Sequence, residues 1–118
     1  MSPKLLSFAI ISLCLLLSAC APTPGQWFKK SQQEYKQQNY GQAYLDAKAA
    51  AQHGNLQATY AMGYMYYYGI GTSANPVLAR QWMNRAAQRG YRPAILALNS
   101  LYNSETKAPH QAALPMPQ

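Results

Sequence analysis

The residues able to do acid–base chemistry are few. Glu34, Asp46 and Glu105 are the carboxylates, and no two stand at a spacing that would bring them into one site. His53 and His110 are isolated. A histidine at a helix end ordinarily meets the helix dipole or water, and His53 is read that way. No metal-ligand cluster, phosphate loop or nucleophile–base pair is present in the sequence. The expectation is therefore no enzyme, with no catalytic residue, no metal and no cofactor. Tyrosine is the conspicuous side chain instead. Tyr60, Tyr64, Tyr66, Tyr67 and Tyr68 crowd one short stretch. Tyr60, Tyr64 and Tyr67 fall at i, i+4 and i+7, on one helix face, while Tyr66 belongs to a neighbouring stripe with Met62 and Met65. Tyrosine provides a large contact area and a hydroxyl at low entropic cost, which is the chemistry of binding.

Two helices must position those rings. Ala58, Ala61, Met62, Met65 and Tyr66 make one amphipathic stripe, and Ala79, Trp82, Met83, Ala86 and Ala87 repeat its spacing. Gly69 and Gly71 stop the first helix, since glycine reaches left-handed dihedrals without steric cost. Asn75 caps the second and Pro76 suits its first turn. Gly90 ends it. The unit recurs: Asn39 and Asn75, Ala43 and Ala79, Gly54 and Gly90, and Ala58 and Ala94 share one interval of 36 residues. That interval indicates stacked helical repeats. Ala43, Tyr44, Ala47, Ala50 and Ala51 line a preceding helix, which Asn39 and Gln42 would open as a capping box. Before it, Trp27, Phe28, Ser31 and Tyr35 begin a helix running to about Gln38. Ala94, Ala97, Leu98, Leu101 and Tyr102 mark a last one, and Leu114 to Gln118 reads as unstructured.

Met62-Gly63-Tyr64-Met65-Tyr66, Gly69-Ile70-Gly71, Ala79-Arg80-Gln81-Trp82 and Ala86-Ala87-Gln88-Arg89-Gly90 resemble the Sel1-like repeat, a relative of the tetratricopeptide repeat. Thr72 and Asn75 stand where that family usually has valine and aspartate. The resemblance implies an all-α fold: a short right-handed α/α solenoid of about two helix hairpins plus a capping helix. It also implies a concave groove that holds partner peptides, floored here by Tyr60, Tyr64 and Tyr67. Mapped onto the preceding helix, the same face gives Lys29, Gln33 and Lys36. Gly63 should lie where the hairpin's helices touch. Some secreted relatives staple each repeat with a cysteine pair, including proteins that act on β-lactams. This chain lacks the pairs, so that activity is not carried over.

The first residues read as a leader. Lys4 precedes the apolar run Leu5 to Leu17, too short for a membrane span of ~20 residues. Leu17-Ser18-Ala19-Cys20 resembles the bacterial lipobox, which implies lipidation at Cys20 and, with Ala21 next, a bacterial outer-membrane protein facing the periplasm. Cys14 would leave with the leader, so no disulfide is expected. The expected divisions are a signal peptide at 1–19, a lipidated tether at 20–25, a Sel1-like repeat domain at 26–103 and a disordered tail at 104–118. Without Lys4, the 10 Lys and Arg become 9 against 3 Asp and Glu, and the formal charge falls from +7 to +6. Export excludes nucleic acid as the basic chain's partner. The expected partners are a membrane through the lipid and an envelope protein, in a non-catalytic adaptor. The alternative is a peptidoglycan- or glycan-binding lipoprotein whose tyrosines stack on sugars.

Overall fold

The computed structural model describes residues 3–4, 21–107 and 114–118. The leader's apolar core, with Cys14 and Cys20, lies outside the described residues. Five helices follow in order: α1 (Pro24–Lys36), α2 (Tyr40–Gln52), α3 (Leu56–Tyr68), α4 (Pro76–Gln88) and α5 (Arg92–Lys107). No strand occurs among the described residues, and each helix packs on the next in the chain. The architecture is the expected all-α stack, with α1–α2 and α3–α4 as hairpins and α5 closing the series. Among the described residues, no helix is long and apolar enough to cross a membrane.

The two helices of the second hairpin begin alike for a local reason. Asn75 Oδ1 accepts from Leu78 N at 3.0 Å and Pro76 occupies the first turn of α4. Asn55 Oδ1 does the same for Ala58 N at 2.8 Å at the start of α3. Gly71, at φ 68°, sits where a Cβ would run into the Tyr40 carbonyl. Glycine is thus required both by backbone handedness and by the loop's approach to α2.

Two expectations at the amino-terminal end are corrected. Pro24 and Gly25 belong to α1 rather than to a tether, because Thr23 and Gln26 form a reciprocal capping box and proline is tolerated in the first turn. Asn39 makes no side-chain cap on α2. Its amide donates back to Glu34 Oε2 at 2.9 Å, and Gln42 donates to Asp46 Oδ1 instead.

α3 is the centre. Ala58 through Met65 are all buried, so no single stripe describes it. Ala58 and Ala61 join Phe28 and Ala50 on one side. Met62 and Met65 join Ala43 and Ala47 on another. Tyr60 and Tyr64 join Met83, Ala86, Ala94, Ala97 and Leu101 on a third. Each large apolar side chain so buried contributes about 1.5–3 kcal/mol. The small residues let backbones approach: a Cβ on Gly63 would stand 3.0 Å from the Ala79 carbonyl oxygen and 3.2 Å from Met83 N.

The carboxyl-terminal end also differs from expectation. α5 continues to Lys107, and the segment Leu114–Gln118, expected to be disordered, lies on the helices with Leu114 only 5% exposed. Leu114 supplies the buried apolar area, which the proline content and low charge around it obscure in the sequence; Met116 stays 56% exposed.

Candidate protein-interaction groove

The first helices of the stack, α1, α3 and α5, border a groove whose floor is α3. Tyr60 is 0% exposed and Tyr64 9%. They are not an open aromatic surface, because α4, α5 and residues 114–118 cover them. Leu114 belongs to the cluster that Tyr60 and Tyr64 form with Ala97 and Leu101 of α5. From there the segment crosses α3 toward α1. Tyr68 Oη accepts from Leu114 N at 3.0 Å, and Tyr60 Oη donates to the Pro115 carbonyl. Met116 and Pro117 then wall a pocket of about 170 Å³ together with Phe28, Gln32, Tyr35 and Lys36 of α1 and Tyr64 of α3.

Burial keeps these phenols neutral, and neutral phenols both donate and accept. It pushes the Tyr64 phenol up to about 12, with the Tyr35 and Tyr68 hydroxyls adding to the effect. Tyr60 is raised further, again by burial first and then by Tyr91, Tyr64 and Tyr68. Tyr60 also meets the Tyr91 ring at 5.5 Å. On the far side of α3, Tyr66 Oη pairs with Tyr44 Oη at 2.9 Å, a packing role.

The sequence-derived residues separate here. Tyr60 and Tyr64 reach the groove. Tyr67 is half-buried, set edge-on to Tyr68 at 4.9 Å, and does not line the pocket. Of the basic side, Lys36 lines the pocket, whereas Lys29 and Gln33 point to solvent. The inward stripe of α1 is Phe28, Ser31, Gln32 and Tyr35, at i, i+3, i+4 and i+7, which puts the mapped positions Lys29 and Gln33 one residue out of register. Ser31 was the clue, since a serine flanked by apolar residues at helical spacing sinks its hydroxyl onto a backbone acceptor; here it donates to Ala43 O at 2.7 Å. The sequence reads residues 114–118 as unstructured and offers, as the alternative to an open groove, that the tyrosines pack against the next helix or this tail, which is what the structure shows. Leu114-Pro115-Met116-Pro117 alternates apolar side chains with prolines that favour an extended chain.

Elsewhere several polar groups pair across the stack. Lys30 Nζ stands 3.4 Å from the buried Asp46 carboxylate. His53 stacks on Trp27 at 4.6 Å. In a second cleft, Arg85 lies 4.7 Å over Trp82 and Arg89 donates to Gly54 O at 2.9 Å. No group of three His, Cys, Asp or Glu able to hold a metal occurs among the described residues.

Stacked α-hairpins with a groove along their first helices define a helical-repeat scaffold. Residues 56–91 match the family model of the Sel1 repeat, so the chain carries a Sel1 repeat, made of α3, the glycine loop and α4. Chitin synthase regulatory factor 3 of Schizosaccharomyces pombe is 34% identical over 70% of this chain and 9% of its own length. A chitin synthase regulator of Malassezia restricta is 43% identical over 51% of this chain and 4% of its own. Activator of C kinase protein 1 of Saccharomyces cerevisiae is 43% identical over 42% of this chain and 8% of its own. The chain thus spans less than a tenth of the length of the curated relatives it matches. No solved structure matches it.

A Sel1 repeat implies an adaptor's role in protein–protein interaction. The expected bacterial outer-membrane location is corrected by the same comparisons: the relatives are fungal and are named as regulators and an activator, not as outer-membrane lipoproteins.

Proposed function

We propose that this chain is a non-catalytic adaptor that holds an extended segment of a protein partner in the groove bordered by α1, α3 and α5. One observation carries the reading. The groove already accommodates a non-helical segment, residues 114–118, with an apolar sink for Leu114, a pocket beside Met116 and Pro117, and tyrosine hydroxyls for its backbone. A repeat scaffold uses such a face because its first helices jointly present a surface that no single helix has. The names of the relatives, regulators and an activator, fit an adaptor that acts on another protein.

The glycan-binding alternative loses its central platform, although Tyr40, Tyr68 and Tyr102 are exposed. Sugar stacking needs an open ring face, and the Tyr60 and Tyr64 rings are buried. Acylation at Cys20, with the membrane attachment it would bring, is a separate proposal resting on Leu17-Ser18-Ala19-Cys20 alone. Two chains or more would hold it firmly, at ~0.8 kcal/mol per buried methylene.

The adaptor reading is tested by filling the groove. Gln32→Trp puts an indole into the pocket, while Val77→Trp places the same side chain on α4 at a residue 68% exposed. With both variants folded by circular dichroism, partner co-purification should be lost in the first and kept in the second. Equal capture by both would place docking elsewhere.

A further inference from the structure

We infer that the groove selects one kind of ligand, an extended Leu-Pro-apolar-Pro segment, and that residues 114–118 are its resident copy, which a partner segment of the same pattern must displace. The inference deepens the adaptor reading and rests on it.

The contacts are those of recognition rather than of loose cover. Three elements take up successive parts of the segment. Leu114 is buried in the cluster shared by α3 and α5. Two hydroxyls of α3 then bracket the Leu114–Pro115 backbone with opposite polarity. Tyr68 Oη accepts the leucine N–H, and Tyr60 Oη donates to the proline C=O. Pro115 and Pro117 have no N–H to satisfy, so a chain carrying them enters an apolar groove with fewer backbone donors to lose. Met116 and Pro117 reach the pocket between Phe28 and Tyr64. A proline-stiffened chain also has less freedom to lose on binding, as in other modes of proline-rich recognition. The sink for Leu114 gives the arrangement its side-chain selectivity, and the Tyr60 hydroxyl fixes the backbone register. A segment that leaves that hydroxyl without an acceptor strands a polar group in the core.

A tethered copy competes at an effective concentration of about millimolar. For a free peptide of roughly 100 µM intrinsic affinity, that tether weakens apparent binding about tenfold. The segment therefore sets a threshold, so that only partners matching the pattern at high local concentration open the groove.

The probe is a fluorescent peptide of sequence Ala-Ala-Leu-Pro-Met-Pro-Gln, the chain's own residues 112–118. It is titrated into the full chain and into the full-length Leu114→Asp variant, which releases the resident segment. Binding should be about tenfold tighter to the variant. Exchanging the peptide's leucine for aspartate should abolish it, and adding Tyr60→Phe should weaken it at least fivefold. Equal affinity for both chains, or no binding to a folded Leu114→Asp chain, overturns the inference. Should that variant fail to fold, the methyl resonance of Leu114, 5% exposed in the unaltered chain, decides. It should sit at a packed position and move to the free-peptide value as peptide saturates the groove. A free-chain value from the start overturns it. If the peptide fails while Gln32→Trp still abolishes partner capture, the ligand pattern falls and the adaptor reading stands.

Discussion

Adding one methyl at Gly63 tests the packing that holds the groove's floor. Glycine inside a helix is less favourable than alanine by roughly 0.5–1 kcal/mol, so Gly63→Ala gains that much if nothing opposes it. At Gly63 something does. The new Cβ would lie 2.7 Å from Met83 Cγ, 3.0 Å from the Ala79 carbonyl oxygen and 3.2 Å from Met83 N. The methionine can turn aside, but the other two atoms are backbone, so α3 and α4 must separate by a few tenths of an ångström. Overpacking of this kind costs about 1–3 kcal/mol, and the net expectation is a loss of about 0–2 kcal/mol. Gly63→Leu should lose more than ~3 kcal/mol, much of the ~5 kcal/mol available to a small domain. Gly41 is the control. It lies in the first turn of α2 with nothing within 4 Å of its would-be Cβ, so Gly41→Ala should be neutral to stabilising by about 0.5 kcal/mol. Urea unfolding of the three variants gives the values. A Gly63→Ala chain stabilised as much as Gly41→Ala would show that α3 and α4 do not meet there, and the reasoning would fail.

Other outcomes follow from the same contacts. Gly71→Ala should destabilise by more than about 2 kcal/mol, because it combines a left-handed residue with a collision against the Tyr40 carbonyl; thermal unfolding measures it. Changing Tyr60, Tyr64 and Tyr67 together to serine should unfold the chain, since two of the three rings are core, whereas Tyr60→Phe should keep the helices and cost about 1 kcal/mol. Stability should be constant from pH 7 to 9 and fall from about pH 10 upward. The Tyr60 and Tyr64 phenols ionise at 10.0 when unfolded and higher when folded, Tyr64 at about 12, so the unfolded chain loses protons first. Denaturant midpoints at successive pH values, with absorbance of the ionised phenol, would read this directly. Cys20→Ala should abolish the mass added by acylation if the Leu17–Cys20 motif is used, as intact-mass spectrometry of the purified chain would show.

Local signals were the most legible part of the sequence. Asn75-Pro76, Gly69-Ile70-Gly71 and the recurring alanines act within a few residues of themselves, and the helices begin and end where those residues require. Gly63 was also readable, because a glycine among large side chains at helical spacing marks a close approach. What escaped depends on distant partners. Tyr60 and Tyr64 formed a second face in the helical register, and nothing local reveals that α5 and residues 114–118 cover it. The face mapped onto α1 put Lys29 and Gln33 beside the groove, whereas Phe28, Ser31, Gln32 and Tyr35 line it and Lys30 reaches Asp46 on α2. The carboxyl-terminal segment reads as unstructured since its prolines and low charge look like absence of pattern. In the structure the segment is neither helix nor strand, and its two prolines leave it few backbone donors, which suits an apolar groove.

The central claim is that the partner lies in the groove of α1, α3 and α5. A photo-crosslinking residue at Gln32, on the pocket wall, against the same residue at Val77, on the exposed side of α4, tests it in living cells. The account predicts one discrete crosslinked protein from position 32, diminished by an excess of Ala-Ala-Leu-Pro-Met-Pro-Gln peptide in a lysate, and none from position 77. The same protein captured from position 77 and not from position 32 would contradict it.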